Sequence, residues 1–298
     1  MTVSKARKIV YDYLDNQNPG VEEEDLFFEA IGFLIHETHD PEFMNILGAV
    51  YYGKKRFDLA LKYYEMAEEN GDPYAAVNLG YIWYYGRTGV KDYEKAFRYF
   101  EKGRKRGDMN SAYKLADMYR NGYYVEKDPQ KYKEIIEELY RKIRGRKGDG
   151  GLVPEIYTRL AGIRTEEGKT DEALELYDQA REELTWRIMN NPFFGNLTIM
   201  KLLIWDVYEL RPFDPENIDL YDCYYLFQKP CTVRFKLDEE QYEAECVIED
   251  GAPVIRFGDK WFRNAADFFA QAEIDGELLT TLIYEFYDYE VEYGSDQR

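Results

Sequence analysis

The chain has 298 residues and a formal charge of −19, with 45% apolar and 33% charged residues. That length suits about two domains, and the composition fits a folded protein instead of a disordered one. The negative charge opposes association with phosphate backbones and anionic membranes, so nucleic acid is not an expected partner. The 29 tyrosines beside 17 phenylalanines suit surfaces that are partly buried and partly wet, because tyrosine joins an apolar ring to a hydrogen-bonding tip.

From the N-terminus, MTVSKARKIVYDYLD has no apolar signal core, and no run approaches the 18 apolar residues of a membrane span. A cytoplasmic protein without a membrane partner is the expectation. Val3 to His39 is read as a degenerate helix pair. His36 and His39 in FLIHETHDP stand three apart. The HExxH metal motif needs a spacing of four to put both rings on one helix face, so these histidines read as capping or solvent residues.

The chain then repeats itself. Leu47, Leu79, Leu115 and Leu160, at intervals of 32, 36 and 45 residues, each precede a small residue: Gly48, Gly80, Ala116 and Ala161. Four residues after each leucine stand Tyr51, Trp83, Tyr119 and Arg164. Asp40-Pro41 recurs as Asp72-Pro73, a cap followed by a first-turn proline. FDLALKYYEMAEENG at Phe57 to Gly71 recurs as YEKAFRYFEKGRKRG at Tyr93 to Gly107, each with aromatic residues at helical spacing. Each unit is therefore a pair of antiparallel helices joined by a turn of variable length. In the second unit helix A is predicted over about Pro73 to Tyr85 and helix B over about Asp92 to Arg106. A lone pair cannot bury its apolar stripe, whereas stacked pairs can, which gives an all-α solenoid.

AAVNLGYIWYYGRTGVKDYEKAFRYFEKGRKRGD resembles a Sel1-like repeat, kin of the tetratricopeptide repeat, with the small-x-x-Leu-Gly-x-x-Tyr-x-x-Gly helix A of that family, Trp83 standing at the tyrosine position, and its Asp-Tyr-x-x-Ala helix B. SAYKLADMYRNGYYVEKD matches nearly as well. The first unit and IYTRLAGIRTEEGKTDEALELYDQA lack the longer turn and are more similar to plain tetratricopeptide repeats. The resemblance runs over about residues 40–184 and implies adaptor or scaffold work, with helix A lining a concave groove.

Residues 184–210, ending TIMKLLIWDVYEL, read as capping helices, and the two prolines of RPFDPEN break the pattern. The solenoid is expected over 1–210. Beyond it CTVRFKL and YEAECVI alternate as a hairpin, APVIRFG follows as a strand, Asn264 offers a helix cap, and LIYEFYDYEVE returns to alternation. Residues 221–298 are therefore expected to form a small α+β domain. This region resembles no family.

Candidate chemistry is sparse. Cys223, Cys231 and Cys246 form no CxxC pair and suit free thiols. Gly86-Arg87-Thr88-Gly89 and Gly148 to Gly151 are turns, since no GxxxxGK[ST] is present, and no GxSxG occurs. No catalytic residue, metal or cofactor is expected. The basic runs KGRKR, Lys102 to Arg106, and RKIRGRK, Arg141 to Lys147, lie near helix C-termini, where the macrodipole favours cations. RNA binding through them is a lesser alternative.

The remaining signal is the helix A face opposite the leucine register, at about 140° to 240° from it on a helical wheel. In the second unit it carries Val77, Tyr81, Tyr84 and Tyr85, with Tyr74 and Asn78 at its edge. In the third it carries Asn110, Tyr113, Asp117, Arg120 and Asn121, with Lys114 adjacent. Either these residues pack against the protein itself, or they line a groove in which tyrosines supply contact area and Asn, Lys and Arg fix a bound segment. The expected function is a non-enzymatic interaction scaffold binding a peptide or protein segment. The alternative is that the α+β region is an enzyme or ligand sensor presented by the solenoid.

Overall fold

The computed structural model describes residues 1–16, 18–145, 151–190 and 194–294. The chain divides into two compact units, Met1–Leu139 and Tyr140–Arg298. In the first, antiparallel pairs follow one another: α1 (Val3–Asp15) with α2 (Val21–Thr38), α3 (Pro41–Gly53) with α4 (Phe57–Glu69), α5 (Ala75–Tyr85) with α6 (Tyr93–Lys105), then α7 (Met109–Asn121) and most of α8 (Pro129–Ile143). Asp40, Asp92 and Asp108 accept hydrogen bonds from the backbone amides of Glu42, Lys95 and Ser111, so α3, α6 and α7 each start on a capping oxygen. α5 starts two residues later than Pro73. Asp72 is buried and accepts from the amides of both Tyr74 and Ala75, which fixes a non-helical turn before the helix begins.

The glycine after Leu47 and after Leu79 has a definite task. At Gly80 an added Cβ would lie 2.4 Å from the Phe100 ring, and at Gly48 it would lie 2.6 Å from the Tyr64 ring. Helix B thus rests an aromatic ring directly on the backbone of helix A, and Phe100 is fully buried by it. The residue four after the leucine works through its carbonyl. Tyr51 and Arg164 accept from the amide five residues on, Arg56 and Lys169, whereas Trp83 and Tyr119 accept from the amide nine residues on, Asp92 and Asp128. The two turn lengths therefore share one anchor, whose side chain is free to vary. In the longer turns Gly86 and Gly122 adopt φ of 63° and 72°, the left-handed region that glycine reaches without a Cβ clash.

The second unit opens with α9 (Val153–Glu166) paired with α10 (Thr170–Asn190), followed by α11 (Phe194–Leu210). The expected capping segment from residue 184 is thus divided: α10 runs on to Asn190, and α11 is a separate helix. A 3-10 turn (Leu220–Asp222) and the short α12 (Cys223–Leu226) lead to the sheet. Its strands are β1 (Cys231–Leu237), β2 (Glu240–Glu249), β3 (Ala252–Phe257), β4 (Lys260–Phe262) and β7 (Tyr287–Tyr293), in the order β4-β3-β2-β1-β7, every neighbour antiparallel. α13 (Ala265–Gln271) and the two-residue pair β5 (Glu273–Ile274) and β6 (Glu277–Leu278) lie between β4 and β7 in sequence. Asn264 caps α13 as its position predicts, accepting from the Asp267 amide. The last strand starts at Tyr287 instead of Leu282, because Leu282 and Glu285 are held in turns by the carbonyls of Leu279 and Leu282. The sheet buries one face: Cys231, Val233, Phe235 and Leu237 of β1 and Ala244 and Cys246 of β2 are buried, with the α13 residue Phe268 edge-on to Phe257 and Phe262.

Candidate functional site: a tyrosine face on the repeats

Helix α5 turns three tyrosines outward, and α7 sends a lysine among them. Tyr81 and Tyr85, one turn apart, stack with ring centroids 6.0 Å apart and an interplanar angle of 8°. Tyr84 meets Tyr85 edge-on at 5.0 Å and also touches Tyr93 and Tyr123. The Lys114 ammonium stands 5.3 to 5.8 Å from the rings of Tyr81, Tyr84, Tyr85 and Tyr113. It donates to the Tyr85 hydroxyl at 3.2 Å and lies 3.7 Å from the Asp117 carboxylate. Four aromatic quadrupoles and one carboxylate thus surround a cation that is 13% exposed. Burial first, then the Asp117 carboxylate, pushes the Tyr84 phenol well above its ordinary range, so it stays protonated.

Tyr81 and Tyr85 also form one wall of a pocket of about 240 Å³, whose remaining lining is Tyr52, Tyr64 and Asn78. The Asn78 side chain donates to the Asn45 amide oxygen at 2.9 Å, which orients both amides. Arg87, in the turn after α5, donates to the Tyr52 hydroxyl at 2.8 Å and lies over the Tyr85 ring at 4.9 Å. The rim is therefore fixed by a cation that joins a tyrosine of α3 to one of α5. Such a pocket is apolar at its walls and carries amide and guanidinium groups for orientation, the usual division of labour in a binding site.

Of the residues singled out in sequence, Tyr81, Tyr84, Tyr85, Tyr113, Lys114 and Asp117 come together, with Asn78 beside them in the pocket. Tyr113 and Asp117 are buried, each 7% exposed, and serve as the floor of the cluster. Val77 is buried too. Tyr74, at the start of α5, and Asn110 are exposed and stand outside the cluster. Arg120 lies over the Tyr132 ring at 5.6 Å. Sequence reasoning missed Tyr52, Tyr64, Asn45 and Arg87. The signal for Tyr52 was available, since it follows Tyr51 as Tyr84 follows Trp83.

Other sequence features resolve into structure. The first basic run is tied to neighbouring helices: Lys102 and Arg106 pair with Glu68, and Arg104 pairs with Glu138 at 2.8 Å. The second run extends past the described residues at Arg146 and Lys147. His39 closes α2 at φ 53°, and His36 pairs with the adjacent Glu37. In the second unit the buried Asp222 accepts from Arg181 at 3.0 Å, the Tyr208 hydroxyl at 2.8 Å and the Asp219 amide at 2.9 Å. Its oxygens are engaged in holding α10, α11 and the 3-10 turn together. Among the described residues no helix is long and apolar enough to cross a membrane.

Residues 41–72, 73–108 and 110–131 match the family model of the Sel1 repeat. These three segments are Sel1 repeats. The tyrosine cluster and the pocket are built from them, with α5 in the second repeat and α7 in the third. No curated protein matches the chain. Among solved structures, the chain is similar to a Sel1 repeat protein from Oxalobacter formigenes, at 21% identity over 70% of this chain and 79% of that one, with a TM-score of 0.49. It is also similar to a protective antigen of uropathogenic Escherichia coli with an SLR fold, at 16% identity over 67% of this chain and 48% of that one, TM-score 0.43. A third similarity is to a thermophilic TPR protein of Thermus thermophilus, at 18% identity over 62% of this chain and 99% of that one, TM-score 0.34.

Proposed function

We propose that the protein is a non-enzymatic, cytoplasmic interaction scaffold whose Sel1 repeats hold a segment of a partner protein on the tyrosine face of α5 and α7. The observation that carries this reading is the continuity of two features: the pocket lined by Tyr52, Tyr64, Asn78, Tyr81 and Tyr85, and the lysine-centred cluster that shares Tyr81 and Tyr85 with it. The pocket is of a size for one apolar side chain. Asn45 and Asn78 would meet the backbone of the segment, and Tyr85, 40% exposed, would cover it with a rigid ring of low entropic cost. Residues 1–210 form the scaffold in this reading, and 221–298 form an attached α+β module.

Selection of random peptides on the immobilised full-length protein should return segments with a recurring large apolar residue. Tyr85→Ala should weaken those peptides at least tenfold while stability falls by only ~1–2 kcal/mol, the loss expected from its ring contacts and its hydrogen bond with Lys114. Peptides that bind Tyr85→Ala and Tyr81→Ala as well as they bind the parent would sink the assignment.

A further inference from the structure

The solvent face of the sheet carries a charge ladder that changes sign from strand to strand. On β7 it shows Glu290 and Glu292; on β1, Arg234; on β2, Glu243 and Glu245; on β3, Arg256. The register places Arg234 opposite Glu290 on one side and opposite Glu243 on the other, and Glu245 opposite Arg256. The contacts follow: Arg234 reaches Glu292 at 2.8 Å and Glu243 at 3.5 Å, and Arg256 reaches Glu245 at 2.8 Å. Lys236 pairs with Asp288 at 2.8 Å. The ladder ends on an acidic strand at the edge of the sheet. Among the described residues β7 is paired on one side only, with β1.

Edge strands present unpaired amides and carbonyls, and proteins guard them with charged side chains, lysine above all, with proline or with bulges. On β7 the guarding charges are Asp288, Glu290 and Glu292, which turn away acidic strands but not basic ones. β7 has no lysine and no proline. Its one irregularity is at its start, where the register shifts between Arg234 and Lys236 and Asp288 adopts φ 52°. Tyr289 to Tyr293 is left as a regular edge. Its other face carries Tyr289, Val291 and Tyr293, which continue the apolar side of the sheet, Val291 opposite Val233 and Tyr293 opposite Cys231.

We propose that the outer edge of β7, Tyr289–Tyr293, is a docking edge for an extended basic segment of a partner protein, which joins the sheet as a further antiparallel or parallel strand. The next strand in the ladder should be positive, because opposite charges directly across a strand pair stabilise it and like charges oppose it. Its alternate residues should be apolar, to continue over Val291 and Tyr293. A second copy of the chain is disfavoured, since β7 against β7 brings Glu290 and Glu292 onto their own kind. The backbone ladder supplies affinity, and the alternating side chains supply choice of partner. This inference is independent of the tyrosine face, which lies in the other unit.

The test uses the full chain and an eight-residue peptide alternating lysine with valine. Two further peptides carry N-methyl groups on all lysine amides or on all valine amides. All three have the same charge, but only alternate amides of an added strand face the sheet, so the two methylated forms should differ. One should lose at least tenfold in affinity, and the other should stay within about twofold of the parent. Addition of the parent should slow hydrogen exchange at β7 amides, and Glu290→Lys should weaken it at least threefold. Equal binding by all three peptides would reduce the effect to attraction by an acidic protein and overturn the proposal. Unchanged exchange in β7, or a β7-dependent dimer in sedimentation, would also overturn it.

Discussion

In the repeats, a ring of α4 and a ring of α6 are seated on glycines of α3 and α5; in the sheet, the central ring is seated on other rings. Phe100 packs on Gly80 and Tyr64 on Gly48, each pairing a helix with the next one along the chain. Phe235 of β1 instead meets Phe257, Phe286 and Tyr289, drawn from β3, from the turn before β7 and from β7. The difference is one of range. A repeat needs only its neighbours, so its stability is a sum of local terms. The sheet closes a long loop between β1 and β7, and all of its strands share one set of rings.

The largest expected effects come from removing the central ring of each region. Phe100→Ala and Phe235→Ala should each cost ~3–5 kcal/mol, the range for a buried phenylalanine. They should differ in reach. By native-state hydrogen exchange, Phe100→Ala should expose mainly α5 and α6, whereas Phe235→Ala should lower protection throughout β1, β2, β3 and β7. Loss spread evenly over both regions in either variant would break the comparison.

A smaller effect is expected at the glycine itself. Gly80→Ala forces the Phe100 ring away and should cost ~1–3 kcal/mol in urea unfolding. Gly80→Ala with Phe100→Leu should recover part of that loss, because the two positions share one contact. Gly32→Ala, where nothing lies within 4 Å of the new Cβ, should instead stabilise α2 by up to ~1 kcal/mol.

Alkali should separate the regions further. Burial, and then the neighbouring Cys246, pushes the Cys231 thiol up to about 12, and burial pushes Cys246 up to about 11, from an ordinary value of 9.0. Above pH 9 the unfolded chain releases these protons and the folded chain keeps them. Their contribution is therefore complete below pH 9 and is lost as pH rises towards 11 and 12, with a slope of up to ~1.4 kcal/mol per pH unit for each thiol. The buried phenols of the repeats, Tyr64 and Tyr84, are also raised, by burial above all, but from 10.0. Urea midpoints at pH 8.5 and 10.5 should fall more for the parent than for Cys231→Ala.

The repeats were legible in sequence because their contacts recur at a fixed interval. Leucine, small residue and carbonyl anchor can be aligned without knowing where any helix lies in space. The hairpin from β1 to β2 and the Asn264 cap were legible for the same local reason. The β5–β6 turn had its signal as well, in Asp275-Gly276, with φ of 51° and 87°, the dipeptide suited to a tight hairpin. The pairing of β1 with β7 was not legible, since alternation names a face and not a neighbour. The tyrosine face shows the same limit. An angular rule on one helix picks out Tyr81 and Tyr85, but Tyr52, Tyr64 and Arg87 come from other elements, and only packing reveals that Tyr113 and Asp117 are covered.

The carbonyl anchor four residues after each repeat leucine also says where this scaffold can be rewritten. The same bond closes a turn of five residues between α3 and α4 and of nine between α5 and α6 and between α7 and α8, while the ring-on-glycine contact of α3 and α4 recurs in α5 and α6. Length in that turn is thus uncoupled from register in the stack. Foreign loops could be exchanged into residues 87–91 or 123–127 as cassettes, between two fixed clasps, without retuning the helices that carry them.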